Sequence, residues 1–105
     1  MSYEKKILVF TATYNETENI NELISLIKNQ PSSPHLLIID DNSPDGTSDK
    51  IVKSQSRFKN IFLIKRNKKL GLDTAHKEAY IYAIENNYDY FITMDADFSH
   101  DPNEI

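Results

Sequence analysis

Four short apolar runs punctuate the chain: Ile7-Leu8-Val9-Phe10, Leu36-Leu37-Ile38-Ile39, Ile61-Phe62-Leu63-Ile64 and Tyr90-Phe91-Ile92-Thr93-Met94. They begin at positions 7, 36, 61 and 90, so 29, 25 and 29 residues separate consecutive starts. Each run is continuous rather than alternating, the pattern of a strand buried on both faces. Each gap has room for a helical crossover, as in βαβ units of about 30 residues.

The gaps carry helical periodicity of unequal strength. Ile20, Leu23, Ile24 and Ile27 form one apolar stripe at i, i+3, i+4 and i+7. Asn15 with Glu18 has the spacing of a capping box ahead of it, and Pro31 and Pro34 stop it. In the third gap Leu72, Ala75, Ala79, Tyr82 and Ala83 share a face that ends near Asn86-Asn87. The middle gap is weaker, with Ile51, Val52 and Phe58 marking its buried side. The chain therefore reads β-α-β-α-β-α-β, an α/β protein with a parallel sheet, flanking helices and right-handed crossovers.

Composition narrows the function. One domain fits 105 residues, with 39% hydrophobic and 27% charged positions typical of a globular protein. Lys and Arg number 12 against 16 Asp and Glu, and this net charge of −4 argues against a general nucleic-acid binder. No cysteine is present, which excludes disulfides, thiolate metal sites and a cysteine nucleophile. With no apolar run long enough to span a bilayer and no signal-peptide core at the start, the expected location is cytoplasmic.

In parallel sheets function collects where strands end at their carboxyl side. Four polar segments follow the apolar runs: Thr13-Tyr14-Asn15-Glu16, Asp40 to Thr47, Lys65-Arg66-Asn67-Lys68-Lys69 and Asp95-Ala96-Asp97. In extended chain Asp95 and Asp97 point the same way, and two adjacent carboxylates are reconciled by a hard cation such as Mg²⁺ or Mn²⁺. An isolated D-x-D fits a solvated strand end equally well. Asp41 suits contact with a base or ribose, whereas Ser43-Pro44-Asp45-Gly46 has the composition of a tight turn, with Thr47 or Ser48 capping the next helix. Lys65, Arg66, Lys68 and Lys69, ahead of Leu70-Gly71-Leu72, either draw a diphosphate toward a helix N-terminus or form a solvated basic loop. Tyr14 either stacks on a base or packs. His35, His76 and His100 have no ligand spacing and no nucleophile partner.

Taken together, T-Y-N-E from Thr13, I-D-D-N-S-P-D-G-T from Ile39, K-L-G-L from Lys69 and M-D-A-D-F-S-H-D-P from Met94 resemble the family-two glycosyltransferases of the GT-A fold. Within that family they are most similar to the polyprenol-phosphate (dolichol-phosphate) mannosyltransferases. The resemblance implies a Rossmann-like sheet and identifies residues 1–105 as the nucleotide-sugar-binding, donor part of a larger domain. It implies nucleoside contacts from Tyr14, Glu16 and Asp41, with Asp95 near the ribose and metal. Asp95 and Asp97 would be the catalytic acids and, with Ser99, would hold Mg²⁺ or Mn²⁺; Lys69 and Gly71 would lie by the diphosphate. The implied reaction is inverting transfer of a sugar, typically mannose from GDP-mannose, to a polyprenyl phosphate at the inner face of a membrane. Asp73 departs from the family's G-L-G, and its charge opposes a diphosphate at that helix start.

Two rival readings come from other classes. A nucleotide-sugar-binding module without turnover would share the site and lack the acceptor half. A phospho-acceptor receiver domain matches in length and in Asp40-Asp41, but its acidic pair follows the first strand, whereas here a full βα unit precedes it. An exposed sheet edge or face would also favour a homo-oligomer.

Overall fold

The computed structural model describes residues 6–14, 18–41, 43–67 and 71–94. Seven elements alternate as expected: β1 (Ile7–Thr13), α1 (Ile20–Lys28), β2 (His35–Asp40), α2 (Thr47–Gln55), β3 (Ile61–Lys65), α3 (Leu72–Glu85) and β4 (Tyr90–Thr93). All strand pairs are parallel, in the order β3-β2-β1-β4. From β1 to β3 the chain steps in one direction across the sheet; for β4 it returns past β1. This order excludes the receiver reading, whose sheet places the first strand between the second and third.

The two faces of the sheet are packed by different means. On one, Ile20, Leu23, Ile24 and Ile27 of α1 and Ile51 of α2 bury against Val9, Leu36, Ile38, Ile61 and Met94. On the other, α3 presents Ala75, Ala79 and Ala83 to Leu8, Phe10, Leu37 and Ile39. Small residues let this helix lie close to the sheet, and the aromatic rings of Phe62, Phe91, Tyr82 and Tyr88 fill the flanks. A chain that moves one way with helices on one face, then back with a helix on the other, keeps one crossover hand throughout.

Three local expectations need correction. Burial on both faces holds for the central strands β1 and β2 only; β3 and β4 are edges, and Tyr90 is 53% exposed. Helix α1 starts at Ile20 with Asn19 at its N-cap and no side-chain cap, so the apolar stripe sets its start rather than the Asn15 box. Asn15 itself lies outside the described residues. Val52 is exposed, because the buried line of α2 runs through Thr47, Ile51 and Ser54, continues to partly buried Phe58, and leaves Val52 about 100° away.

The amino end of the sheet is closed by a polar-aromatic cluster remote from the loops of interest. His35 Nδ1 and the Tyr88 hydroxyl are 2.8 Å apart, and the Lys6 ammonium sits 4.4 Å from the Tyr88 ring centre. Burial, then the charges of Lys28 and Lys6, push the His35 pKa below 6.5; burial and neighbouring Tyr82 push the Tyr88 hydroxyl up to about 12. Both groups are therefore neutral near pH 7, and the imidazole tautomer decides which of them donates the hydrogen bond. Since the unfolded chain binds a proton at His35 more readily, stability should fall as pH drops through 6.5. The Tyr88 contribution should be lost as pH rises from 10 through about 12. A His35→Phe variant is expected to escape the acid-side loss apart from a constant offset, read as melting temperature against pH. Parallel curves for the two proteins would refute the link between His35 protonation and stability.

Candidate functional site

The strand order reverses between β1 and β4, and the crevice at such a switch point, outside the strands' carboxyl ends, is where open α/β sheets bind ligands. Four segments meet on this side: Thr13-Tyr14 at the end of β1, Asp40-Asp41 at the end of β2, Arg66 after β3 and Met94 after β4. The ladder extends past the assigned strand ends. The Asp41 amide donates to the Thr13 carbonyl at 3.1 Å, Arg66 N–H to the Asp40 carbonyl at 2.8 Å, and Met94 N–H to the Phe10 carbonyl at 2.9 Å. These bonds fix the points from which the loops depart.

Adjacent residues on extended chain face opposite ways, and Asp40 and Asp41 divide their work accordingly. Asp40 is fully buried. Its Oδ1 accepts from the Thr13 hydroxyl at 2.6 Å and the Ser43 hydroxyl at 2.6 Å, and its Oδ2 from Ser43 N–H at 2.9 Å. Thr13 stands opposite Asp40 in the β1–β2 register. Asp40 is thus the internal anchor of the turn that follows β2. That turn continues as its composition predicts, with Gly46 at φ +87°. Gly46 occupies the N-cap of α2, and the Asp45 carboxylate accepts from Thr47 N–H at 3.1 Å. The expected hydroxyl cap from Thr47 or Ser48 is therefore replaced, because the Thr47 hydroxyl itself donates to Asp45.

Asp41 meets Arg66 in a bidentate pair, with side chains 10% and 7% exposed. Arg66 Nε donates to Oδ1 and Nη2 to Oδ2 at 2.8 Å. The same guanidinium donates from Nη2 to the Gly71 carbonyl at 3.1 Å and from Nη1 to the Thr74 hydroxyl at 2.9 Å, and lies 3.6 Å from Glu78 Oε2. The Thr74 hydroxyl donates to the Gly71 carbonyl at 2.9 Å, and Gly71 N–H donates to Asp41 Oδ2 at 3.3 Å. The hydrogen bond to Asp41 raises the Arg66 pKa further, against the opposing effect of burial. Gly71 has φ +96° and ψ 158°, a region essentially restricted to glycine.

Of the residues that the resemblance assigns to the site, Tyr14, Asp41 and Gly71 fall within the described part. The structure joins Asp41 to Gly71 directly and brings the end of β1 alongside through Thr13, leaving Tyr14 38% exposed at the rim. Glu16, Lys69, Asp95, Asp97 and Ser99 lie outside the described residues. Among the described residues no cluster of His, Asp or Glu could hold a metal ion, and no helix is long and apolar enough to cross a membrane. Arg66 is a correction: grouped by sequence with a diphosphate-attracting loop, it is buried and spent on Asp41. Thr74 was missed because it belongs to no motif, and the anchoring role of Asp40 because the function of the acidic pair was assigned to Asp41.

Comparison with known proteins fits this arrangement. The model of "Glycosyl transferase family 2" matches residues 8–105. The chain is 30% identical over 100 residues to an undecaprenyl-phosphate mannosyltransferase of Micrococcus luteus, covering 95% of this chain and 41% of that protein. It is 37% identical over 102 residues to a dolichol-phosphate mannosyltransferase of Pyrococcus furiosus, covering 95% and 28%. It thus spans well under half the length of these relatives. The fold superimposes on the mannosyltransferase PcManGT from Pyrobaculum calidifontis, in complex with GDP-Man and Mn²⁺, with a TM-score of 0.77 at 21% identity (91% of this chain, 28% of that one). Staphylococcus aureus TarS 1–349 gives 0.70 at 22% identity, over 88% and 27%. The four-stranded parallel sheet with its flanking helices has the GT-A arrangement, and the chain belongs to glycosyl transferase family 2.

Proposed function

We propose that residues 1–105 are the donor-binding part of an inverting glycosyltransferase that moves mannose from GDP-mannose to a polyprenyl phosphate. The observation that carries this reading is the convergence of Tyr14, Asp41 and the residue before Asp95 at one switch-point crevice in a chain of this family. The named activities of the bacterial and archaeal relatives support the acceptor, and the GDP-Man bound to PcManGT supports the donor.

In this reading Tyr14, Glu16 and Asp41 hold the nucleoside, with Asp95 toward the ribose. A phosphate oxygen of the lipid attacks C1 of the sugar, the bond from C1 to the diphosphate breaks, and GDP departs with inversion. The attacking phosphate is already ionised, so the protein need supply no strong base. Asp95, Asp97 and Ser99 offer only hard oxygen donors, which suit Mg²⁺ or Mn²⁺, and PcManGT supports this choice with its Mn²⁺. Met94 N–H, bonded to Phe10, leads the chain to those residues from beside β1. A divalent ion, when bound there, supplies charge neutralisation for the diphosphate. Lys69, by its charge, and the N-terminal end of α3 beside Gly71 would add to that neutralisation. The lipid tail of the acceptor sets the reaction at a membrane surface.

Calorimetric titration with GDP-mannose and other nucleotide sugars, with and without Mn²⁺, tests the reading. Binding strengthened by Mn²⁺ is expected, and Asp97→Ala should weaken that metal-dependent binding by at least about tenfold. No metal-dependent binding to any nucleotide sugar would overturn the site. Binding without transfer to polyprenyl phosphate would reduce the reading to a binding module.

A further inference from the structure

We infer that Arg66 is a positioning residue of the donor site, fixing the Asp41 carboxylate and the start of α3 as one unit through the shape of its guanidinium. The inference rests on the proposed role of Asp41 as a nucleoside contact.

The geometry separates shape from charge. Nε and Nη2 take the two Asp41 oxygens in parallel, which holds the plane of the carboxylate as well as its position. A lysine ammonium supplies a point charge and cannot do this. The remaining donors of the same planar group reach the Gly71 carbonyl and the Thr74 hydroxyl, and Gly71 N–H returns to Asp41. A closed ring therefore runs Asp41, Arg66, Thr74, Gly71, Asp41, and it spans the loop ends after β2 and β3 and the first turn of α3. Displacement of Arg66 shifts the proposed nucleoside contact and the proposed diphosphate contact together. The side chains of the pair are nearly buried, so water cannot readily replace the lost donors. An arginine serving only to hold the fold would leave nucleotide affinity unchanged in any variant that still folds.

The test measures GDP affinity by calorimetry, with urea unfolding of each protein, for wild type, Arg66→Lys, Asp41→Asn, the double variant and Thr74→Val. Arg66→Lys is expected to fold cooperatively and bind GDP at least about tenfold more weakly. The double variant should bind no more weakly than Asp41→Asn alone, since Arg66 acts through that carboxylate. Thr74→Val, at an exposed position, should retain stability and weaken GDP binding by about two- to fivefold. A folded Arg66→Lys with wild-type affinity, or losses that add in the double variant, overturns the inference while the functional reading stands. Should Arg66→Lys not fold, unchanged affinity in Thr74→Val overturns it. Failure of wild type to bind GDP overturns both.

Discussion

Replacing Asp40 with alanine is expected to destabilise the protein by about 3–5 kcal/mol, more than any change at the exposed rim. Asp40 has no accessible surface and receives three donors, the Thr13 and Ser43 hydroxyls and the Ser43 amide. Hydrogen bonds to a charged acceptor contribute about 1.5–3 kcal/mol each, and a donor left buried without a partner adds its desolvation penalty. The hydroxyls can turn toward other acceptors and recover part of this; the Ser43 amide cannot. Asp40→Asn retains one carbonyl oxygen, and should lose about half as much. Urea unfolding reads both variants, with a lowered midpoint at unchanged slope. A loss below about 1 kcal/mol for Asp40→Ala would show that Asp40 is not the anchor.

Asp41→Ala is expected to cost about 3–5 kcal/mol for a different reason. Removing one member of a buried pair strands the other, here the Arg66 guanidinium, which stays charged because an arginine is too basic to lose its proton. Gly71 N–H loses its acceptor at the same time. Removing both charges relieves the stranding, so Asp41→Leu with Arg66→Met should be less destabilised than Asp41→Ala alone. Equilibrium unfolding of the single and double variants decides the matter. A double variant as unstable as the single one would mean that packing around the pair, rather than its charge, governs this part of the fold. Neither outcome bears on nucleotide binding, which makes the measurement independent of the functional reading.

Much of the architecture was legible because it depends on patterns with a fixed period. The strand positions came from continuous apolar runs, and α1 and α3 from stripes that recur every three or four residues. What escaped were properties of assembly. That β3 and β4 are edges follows from strand order, which no single run encodes. The start of α1 depended on burial of Ile20, and the capping box at Asn15 carried less weight than the stripe. Val52 was misplaced because a valine beside an isoleucine gives no phase, whereas Thr47 and Ser54, both polar, were the residues that continued the buried line. At the site, the motif pointed to Asp41 but not to its partner. The information was nonetheless present: the offset that pairs Leu36 with Ile61 and Asp40 with Lys65 sets Asp41 beside Arg66 one step later. Reading Arg66 as part of a basic cluster hid it, since a run of like charges suggests solvent and long-range attraction.

Gly71 lies on the ring of contacts through both its amide and its carbonyl, yet among the described residues a Cβ built there meets nothing within 4 Å. What excludes other residues is therefore handedness and not volume. At φ +96° and ψ 158° an L-residue is strained, while its mirror image would rest in the ordinary extended region. A D-alanine introduced by chemical ligation would find both room and a relaxed backbone, whereas an L-alanine would find only the room. Chirality thus sets a strain of about 1–3 kcal/mol against every genetically encoded side chain at position 71, a cost that enlarging the neighbouring space would not remove.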